Sequence, residues 1–442
     1  MIFDQNTVLL KNAVWQRYFI VAVLATLIAI LVSTPLFASD NGNEEPSFSE
    51  WKQSFKQSAL KVGLNTLVID AAFDQLKPNK TVLKLDRNQP EFSHSIWTYI
   101  DNTTGKRRVQ KGKETLKKHR HLFDKITQQY HVPAAIIIAI WAMESDFGGN
   151  YGNMKVIRSL ATLAHGGRRK AFASKELLAA LYILQAEHLQ SEQLIGSWAG
   201  AMGHPQFMPS SFQKYAVDFN LDGKRDLWNS LDDAFASIAR YIQAAGWKEN
   251  QSWGVEVVLP DDFKWQKQAE FNANDDRLMV SEWMLWGIKP ALGKEFQNDD
   301  LLARLFFPAG HLGPAFLIFD NFDVIKKYNL SLSYTLSVGL LASGIATTTD
   351  NEALLVAQWP RNDKPLSRED KMALQTQLNQ QGFDSGKVDG KIGSKTRHAI
   401  RKWQLKHGLA ADGYMPLRLF SLFKSSLFKS SLFKKVKDSL YE

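Results

Sequence analysis

The chain has 442 residues, of which 45% are apolar and 22% are charged, as in ordinary globular proteins. This length is enough for two or three domains with their own cores. The chain has no cysteine, which excludes disulfides, thiolate metal sites, a cysteine nucleophile and a lipid-modified N-terminal cysteine. The net charge of +9 arises from residues 361–442, because the two signs balance in the rest of the chain.

The N-terminus (1–38) has the pattern of a signal peptide. Two basic residues precede an apolar run from Phe19 to Val32, and Leu36-Phe37-Ala38 resembles a cleavage site. The alternative is an uncleaved membrane anchor, but the run is shorter than the ~20 residues that a bilayer needs. The sequence therefore predicts export with cleavage after Ala38, followed by a polar linker over 39–47.

Between residues 48 and 357 the sequence has mainly helical periodicity. The stretch from Pro133 to Phe147 is apolar on nearly every side, which predicts a buried helix. Val255–Leu259 and Phe316–Phe319 have the composition of short strands, with turn residues around them. We therefore predict a mainly α fold that contains a small β-containing subdomain within residues 252–319.

Glu144 lies in this apolar stretch, where burial of an ionised carboxylate is costly. Its pKa should therefore rise, so that the group stays protonated near neutral pH and can donate a proton. On composition alone, a Glu144 that faces outward or pairs with an arginine is an equally good interpretation. Asp146 cannot face it across a cleft, because residues two apart point apart on a helix. This pattern favours chemistry with one carboxyl group, whereas most glycosidases pair two.

Two sequence blocks carry a resemblance to a known family. The first comprises Ile140–Gly148 and Arg158–Leu163, and the second runs from Gly196 to Ser211 and contains Gly-His-Pro-Gln-Phe. Both resemble the lytic murein transglycosylase B family (glycoside hydrolase family 103), over about residues 48–357. The resemblance implies a lysozyme-like helical catalytic core with a small β part.

The resemblance also implies an activity and a set of site residues. Members of this family cleave the MurNAc–GlcNAc β-1,4 bond of peptidoglycan without water and leave 1,6-anhydroMurNAc ends. By position, Glu144 is the general acid that then acts as the base, and the chemistry requires no cofactor. The implied substrate-binding residues are Ser197, Gln206, Asn329 and Tyr334. Taken alone, Ser197 also fits a helix cap and Tyr334 also fits the core.

The stretch Asp218–Asp226 follows the order of an EF-hand calcium loop. Side-chain oxygens fall at positions 1, 3, 5 and 9, and Gly223 allows the sharp turn at position 6. Position 12 is Asn229 instead of a bidentate glutamate, so the candidate that closes the shell is Asp232. The alternative is a polar turn without a metal. The predicted ligands of a structural Ca²⁺ within 218–232 are Asp218, Asn220, Asp222, the Lys224 carbonyl, Asp226 and Asp232.

The C-terminal part resembles a second, smaller module. A linker over 358–365 leads to residues 366–424, in which Val388–Gly393, Trp403-Gln404 and Ala411–Gly413 resemble the three-helix peptidoglycan-binding domain. The implied role is to hold the enzyme on its polymer, which raises the local substrate concentration. A generic helical bundle is the alternative.

The last residues, 425–442, form a repetitive basic tail. The unit Ser-Leu-Phe-Lys recurs at 421, 426 and 431, and this spacing fits neither a helix nor a strand. The combination of Phe and Lys predicts weak contact with a membrane surface. The expected partners are therefore peptidoglycan glycan strands and a membrane surface, but no nucleic acid, and we expect a monomer. The predicted location is the periplasm of a Gram-negative bacterium, reached through a cleaved signal peptide and without a lipid anchor.

Two other functions fit parts of this pattern. A hydrolytic muramidase on the same fold would need a second carboxylate to hold a water molecule. A non-catalytic scaffold that binds peptidoglycan would use the C-terminal module alone, and the intact motif around Glu144 argues against it. The sequence therefore predicts a lytic transglycosylase.

Overall fold

The computed structural model describes residues 46–87, 95–187, 189–271, 276–293, 295–348 and 353–424. The predicted signal peptide, most of the linker that follows it and the repetitive tail lie outside the described residues. Within residues 46–50, Ser47 and Glu50 exchange the hydrogen bonds of a capping box, which begins the first helix. The described residues from 51 onward form a separate, compact unit.

The helical body is built from short helices with tight turns between them. Its first half contains α1 (Phe48–Lys61), α2 (Thr66–Phe73), α3 (Lys80–Arg87), α4 (Ile96–Thr104), α5 (Lys106–Lys118), α6 (Arg120–Tyr130) and α7 (Ala134–Ser145). Next come β1 (Met154–Lys155), α8 (Val156–Gly166), α9 (Lys170–Ala186), β2 (Ile195–Gly196), α10 (Pro209–Tyr215) and α11 (Leu231–Ala244). The short strands β1 and β2 pair antiparallel, and they bring the two sequence blocks side by side.

Residues 252–319 form the small β-containing subdomain that the sequence predicts. Its elements are β3 (Gly254–Val258), α12 (Trp265–Glu270), β4 (Arg277–Met279), α13 (Val280–Leu285), β5 (Lys289–Pro290), β6 (Leu302–Phe306) and β7 (Ala315–Ile318). The strands form an antiparallel sheet in the order β4-β6-β7-β3-β5. Trp283 of α13 packs with Leu305 and Leu317 of the sheet, so the subdomain has a core of its own.

The chain returns to the helical body with α14 (Asp320–Tyr328) and α15 (Leu332–Ala346). Helices α7 and α15 pack against each other at the centre of the body, and both are apolar on nearly every side. In α7 every residue from Ala135 to Ala142 is buried. The few polar side chains on these two helices, Glu144 and Tyr334 among them, therefore lie in an apolar environment.

Within the described ranges, no single helix is long and apolar enough to cross a membrane. Helices α14 and α15 meet at 115°, and they are long and apolar enough only when the two are counted together.

The C-terminal module has the predicted helices α16 (Arg368–Gln380), α17 (Ser394–Lys406) and α18 (Leu417–Lys424). Its two Asp-Gly turns are held by glutamines from the helices. Gln375 Oε1 accepts a hydrogen bond from Gly390 N at 2.8 Å, and Gln404 Oε1 accepts one from Gly413 N at 2.9 Å. Trp403 is fully buried in the module core. The motif residues therefore hold the module together, which accounts for their pattern.

The segment predicted as a linker, 358–365, packs on both parts that it joins. Trp359 is buried in the core of the helical body, and Arg361 forms an ion pair with a carboxylate of α4 at 2.7 Å. On the module side, Asp363 accepts a hydrogen bond from the Tyr414 hydroxyl at 2.6 Å. The segment is therefore ordered by its contacts with both parts.

The module also docks directly on the β-containing subdomain. The carboxylate of Asp412, in the second Asp-Gly turn, accepts hydrogen bonds from His311 through Nδ1 at 2.8 Å and through the main-chain N–H at 2.9 Å. The Arg397 guanidinium lies 5.6 Å from the centre of the Phe306 ring on β6. Charged groups of α17 are thus buried against the subdomain instead of facing water.

Candidate active site

Glu144 lies in the last turn of α7, with its side chain half-buried at the edge of the core. Tyr334 of α15 donates its hydroxyl hydrogen to Glu144 Oε1 at 2.7 Å. Burial raises the pKa of Glu144 to about 7, and the hydrogen bond from Tyr334 opposes that rise. A large share of the molecules is therefore protonated at this carboxyl near neutral pH, as general acid catalysis requires.

The neighbouring acid in the sequence does not share this site. Asp146 follows the end of α7, and its Oδ1 lies 2.5 Å from Arg108 Nη1 on α5. Within the described residues, the causes that shift the pKa of Glu144 are burial and the Tyr334 hydroxyl, and a second carboxylate is not among them. Among the described residues, the side chain that hydrogen-bonds to Glu144 is therefore a hydroxyl and not a second carboxyl group.

Three further tyrosines lie in the electrostatic field of Glu144. Burial is the largest cause that raises the pKa of Tyr99, Tyr241 and Tyr328, and Glu144 raises each of them further. These hydroxyls therefore stay neutral and remain hydrogen-bond donors. The rings of Tyr241 and Tyr328 lie 4.6 Å apart, and Tyr328 donates to the Pro205 carbonyl at 2.6 Å. Sequence reasoning missed these three residues, because tyrosines on helices have the pattern of ordinary core residues.

Gln206 has its side chain fixed by the main chain around it. Its Nε2 donates to the carbonyls of Tyr151 at 2.9 Å and Gly203 at 3.0 Å, and its φ of +49° lies in the left-handed region. Both amide hydrogens are thereby used, which leaves Oε1 as the group of this side chain that can accept from a ligand. An unusual backbone at a partly exposed polar residue is typical of binding sites.

Ser197 and Asn329 make their hydrogen bonds within their own turns. Ser197 Oγ accepts from Ala201 N at 3.0 Å, and Asn329 Oδ1 accepts from Ser331 N at 3.0 Å, just before α15 begins. Both residues retain solvent exposure. The structure thus brings Tyr334 into direct contact with Glu144, whereas Ser197 and Asn329 bond to neither of them.

The predicted calcium loop places three of its side chains together. Asp218 accepts from Gly223 N at 2.8 Å, and both Asp218 and Asn220 accept from Asp222 N at 3.1 Å. Gly223 has φ of +86°, which permits the sharp turn at position 6. Among the described residues, no three His, Cys, Asp or Glu side chains are grouped to hold a metal. The loop's own donor set is two carboxylates and one amide oxygen.

The other predicted ligands are placed differently. The carboxylate of Asp226 accepts from the main chain and side chain of Asn229, and the main-chain N–H of Lys224 donates to Asp222 at 2.9 Å. Asp232 makes no hydrogen bond to the loop within the described residues. Its predicted role as a ligand that completes the calcium shell stays a prediction.

Asp233, the neighbour of Asp232, holds the two ends of the loop together. It is fully buried, and its carboxylate accepts from Phe219 N at 2.8 Å and from Asp226 N at 2.9 Å, at the two ends of the loop. As the third residue from the start of α11, it points back toward the loop, whereas Asp232 turns toward a groove beside α6. The sequence shows two consecutive acidic residues, Asp232 and Asp233, at the start of α11. Such a pair does not indicate which of the two carboxylates points toward the loop.

The pKa of Glu144 predicts a pH dependence with a definite sign. Because the protonated form donates, kcat/KM should fall about tenfold per pH unit well above pH 7. Tyr334→Phe removes a hydrogen bond that lowers the pKa of Glu144, so its alkaline limb should shift to higher pH even though its maximal rate falls. Rates on a soluble glycan across pH 5–9 test this. An identical limb in the two proteins would contradict the assignment of that limb to Glu144.

Comparisons with known proteins identify the family of the chain and its two domains. A family model described as "Transglycosylase SLT domain" matches residues 47–343, and one described as "Putative peptidoglycan binding domain" matches residues 367–415. A curated relative, membrane-bound lytic murein transglycosylase B of Escherichia coli (strain K12), is 30% identical over 310 residues, which is 67% of this chain and 82% of the relative.

Two solved structures extend the comparison. SltB3 from Pseudomonas aeruginosa, in complex with NAG-anhNAM-pentapeptide, is 43% identical with a TM-score of 0.79, over 86% of this chain and all of that chain. The E. coli lytic transglycosylase Slt35, in complex with calcium, is 29% identical with a TM-score of 0.56, over 67% of this chain and 92% of that chain. The family model covers more than half of the chain, and both the lysozyme-like core and the binding module are matched. The chain belongs to the family of lytic transglycosylases that carry the SLT domain.

Proposed function

We propose that this chain cleaves the MurNAc–GlcNAc β-1,4 bond of peptidoglycan without water, with Glu144 as the acid and then the base. The observation that carries the proposal is a single half-buried carboxyl group, with a pKa of about 7, that is paired with a tyrosine hydroxyl. Such a group has both protonation states available near neutral pH, which one residue needs if it is to give and then take a proton.

The proton balance closes on this one residue. Protonated Glu144 donates to the bridging oxygen as the C1–O4 bond breaks, and the GlcNAc end leaves as an alcohol. The resulting carboxylate then takes the proton of the MurNAc 6-hydroxyl as the C1–O6 bond forms. Tyr334, which donates to Oε1 at 2.7 Å, stabilises the carboxylate between the two steps. The enzyme ends protonated as it began, and no water is consumed.

The substrate contacts follow from the same geometry. Gln206 offers a fixed acceptor at Oε1, and the neutral hydroxyl of Tyr99 is a donor near Glu144. The hydroxyls of Tyr241 and Tyr328 already donate to main-chain carbonyls, so they shape the pocket around Glu144. Ser197 and Asn329 retain exposed polar atoms, and we propose that they bind sugar farther from the reacting bond. SltB3, at 43% identity, is in complex with an anhydro-sugar peptide fragment, which has the chemistry of the proposed product.

The competing reaction is hydrolysis on the same fold. Hydrolysis needs a carboxylate that holds a water molecule. The described side chain that hydrogen-bonds to Glu144 is the Tyr334 hydroxyl. Digestion in water labelled with heavy oxygen separates the two reactions. Ring closure leaves the new ends unlabelled, whereas label in the MurNAc product would establish hydrolysis and overturn the proposal.

We propose that the C-terminal module holds the enzyme on its polymer, as a monomer in the periplasm. The family model for a putative peptidoglycan-binding domain supports the first part, and the cell-wall activity of the relatives supports the location. The N-terminal export signal and the absence of cysteine fit a periplasmic protein without a lipid anchor. Weak membrane contact through residues 425–442 belongs to the same proposal.

We propose further that the loop of Asp218, Asn220 and Asp222 binds Ca²⁺ in a structural role. The donor set supports this, since carboxylate and amide oxygens suit calcium, and Slt35 is in complex with that ion. With Asp226 bonded to Asn229, the shell is short of protein ligands, so affinity should be weak, ~10⁻⁴–10⁻³ M.

Saturating calcium should therefore raise the melting temperature through mass action, and Asp222→Ala should abolish the shift. Asp261→Ala, at an exposed site outside the loop, is the matched control and should keep it. EDTA should leave most activity at low temperature, because the loop does not touch Glu144. A parent protein without any calcium-dependent shift would show that the loop is only a polar turn.

A further inference from the structure

The catalytic helix ends in a conformation that the local sequence does not favour. Directly after α7, three consecutive residues have left-handed backbones: Asp146 (φ 50°), Phe147 (φ 59°) and Gly148 (φ 76°). Only glycine adopts this region readily, so the two preceding residues persist there because their surroundings hold them. Glu144 lies two residues before this segment, and the direction of its carboxyl group depends on how the last turn is held.

Arg108 holds this segment from the side of α5. Its Nη2 donates to the carbonyl of Ala142, which also accepts the main-chain N–H of Asp146, and its Nη1 donates to the Asp146 carboxylate. The guanidinium carbon also lies 5.4 Å from the centre of the Phe147 ring. One side chain therefore joins the helix end to the first two left-handed residues.

His204 holds the segment through a second set of contacts. Its Nδ1 accepts a hydrogen bond from Trp141 Nε1 at 3.1 Å, and Trp141 lies one turn before Glu144 on α7. The same ring packs against Gly148, where a Cβ atom would lie only 2.4 Å from His204 Cε1. The main-chain N–H of His204 is itself anchored on the Leu227 carbonyl at 2.8 Å.

We propose that Arg108 and His204 are positioning residues for Glu144: together they clamp the last turn of α7 and the left-handed segment after it, and so set where the carboxyl group points. Neither residue touches the reacting atoms. The proposal rests on the proposed function, in which one carboxyl group must reach the leaving oxygen and then the 6-hydroxyl of the same sugar.

This double task explains why the clamp matters. A carboxyl group that only protonates a leaving group tolerates some freedom, whereas one that must also take a proton from the ring-closing hydroxyl has to stay within reach of both atoms. Small misplacements of a catalytic group carry large rate costs. A loosened Glu144 would also slow ring closure more than bond cleavage, and water would then compete for C1.

Arg108→Gln tests the first half of the clamp. We expect kcat to fall on the order of 100-fold with KM changed by less than about threefold. A measurable share of the products should carry reducing ends, and added guanidinium at millimolar concentration should partly restore the rate. Arg108→Lys keeps the charge but cannot bridge both groups, so it should resemble Arg108→Gln. Arg120→Gln, at an exposed arginine of α6 that pairs with Asp124, is the matched control.

Two variants of His204 and one of its hydrogen-bond partner Trp141 test the second half of the clamp. His204→Asn places an acceptor near the position of Nδ1 and should retain most of kcat, whereas His204→Leu should lose at least about tenfold. Trp141→Phe removes the donor and should match His204→Leu. Combining the two should add little, because both break the same hydrogen bond.

The outcomes separate the clamp from general stability and from the reaction itself. If the Arg108 and His204 variants lose activity only in proportion to melting temperature, with unchanged product ends and no guanidinium rescue, the two residues are structural and the proposal is wrong. If the parent protein itself yields reducing ends, the proposed function fails instead. Anhydro ends from the parent together with mixed ends from the variants support both.

Discussion

Glu144→Gln should fold as the parent does and lose nearly all cleavage of peptidoglycan. The amide can still accept the hydrogen bond from Tyr334, so the local packing is kept, but it can neither donate the proton nor accept it afterwards. Loss of a general acid–base costs about 10²–10⁴-fold, and here one residue performs both transfers, so the upper part of that range is expected. Release of soluble fragments from sacculi measures the loss.

A matched acid-to-amide change isolates the effect of the site. Glu192→Gln removes an exposed carboxylate that pairs with Lys155 at 3.3 Å, and it should leave both activity and stability close to those of the parent. Retention of more than a tenth of the parent rate by Glu144→Gln would remove this residue from the centre of the mechanism.

A chain that stops at Pro365 should lose retention on sacculi and also become less stable. The first effect is the loss of a tethered binding module, which lowers the local substrate concentration. The loss of stability follows from the interface between the module and the subdomain. Without the module, the Phe306 ring loses its contact with the Arg397 guanidinium, and His311 loses its hydrogen bonds to the Asp412 carboxylate. We expect weaker pull-down on sacculi by at least about tenfold and a lower melting temperature. Cleavage of short soluble glycans at low temperature should be retained.

The control for this truncation is a chain that stops at Lys424, which keeps the module and removes only the tail. It should bind sacculi and melt like the full chain. Equal loss of sacculus and soluble-glycan cleavage in the shorter chain, at a temperature where it is folded, would mean that the module belongs to the catalytic cleft.

The elements with strong local patterns were predictable. The apolar run predicted as a buried helix over Pro133–Phe147 becomes α7 (Ala134–Ser145), and strands β3 and β7 lie one residue from their predicted positions. The physical reason is that a central helix and a central strand pair are apolar over their whole length, so that consecutive residues indicate burial. The mainly helical body and the small β-containing subdomain followed from such segments, whereas the three-helix module was implied by the resemblance to a peptidoglycan-binding domain.

Elements that depend on distant partners were not predictable. Strands β4 and β5 are two or three residues long and exist because they pair with β6 and β3, which no local pattern indicates. The segment 358–365 has the composition of a proline-containing linker, yet it is ordered by the burial of Trp359 and by an ion pair of Arg361 that local sequence does not reveal. Its composition alone could not distinguish a flexible linker from an ordered segment.

The site residues show the same difference between local patterns and tertiary contacts. The apolar helix made Glu144 a candidate, but on composition alone an outward or paired carboxylate was an equally good interpretation. The family resemblance selected Glu144, as it did Tyr334. The contact between these two residues, the surrounding tyrosines and the hydrogen bonds between Asp233 and the calcium loop depend on the packing of α7, α11 and α15. Which side chain faces a site depends on the tertiary structure, and a single sequence leaves that open.

The most direct test of the central claim is the mass of the muropeptides that the purified protein releases from sacculi. Ring closure by Glu144 predicts that the new MurNAc ends are 1,6-anhydro sugars, lighter by one water than reducing sugars, and that Glu144→Gln releases almost none of them. Reducing MurNAc ends as the main product would contradict the account and identify a hydrolase. Release of anhydro ends by Glu144→Gln at the parent rate would contradict the assignment of Glu144 as acid and base.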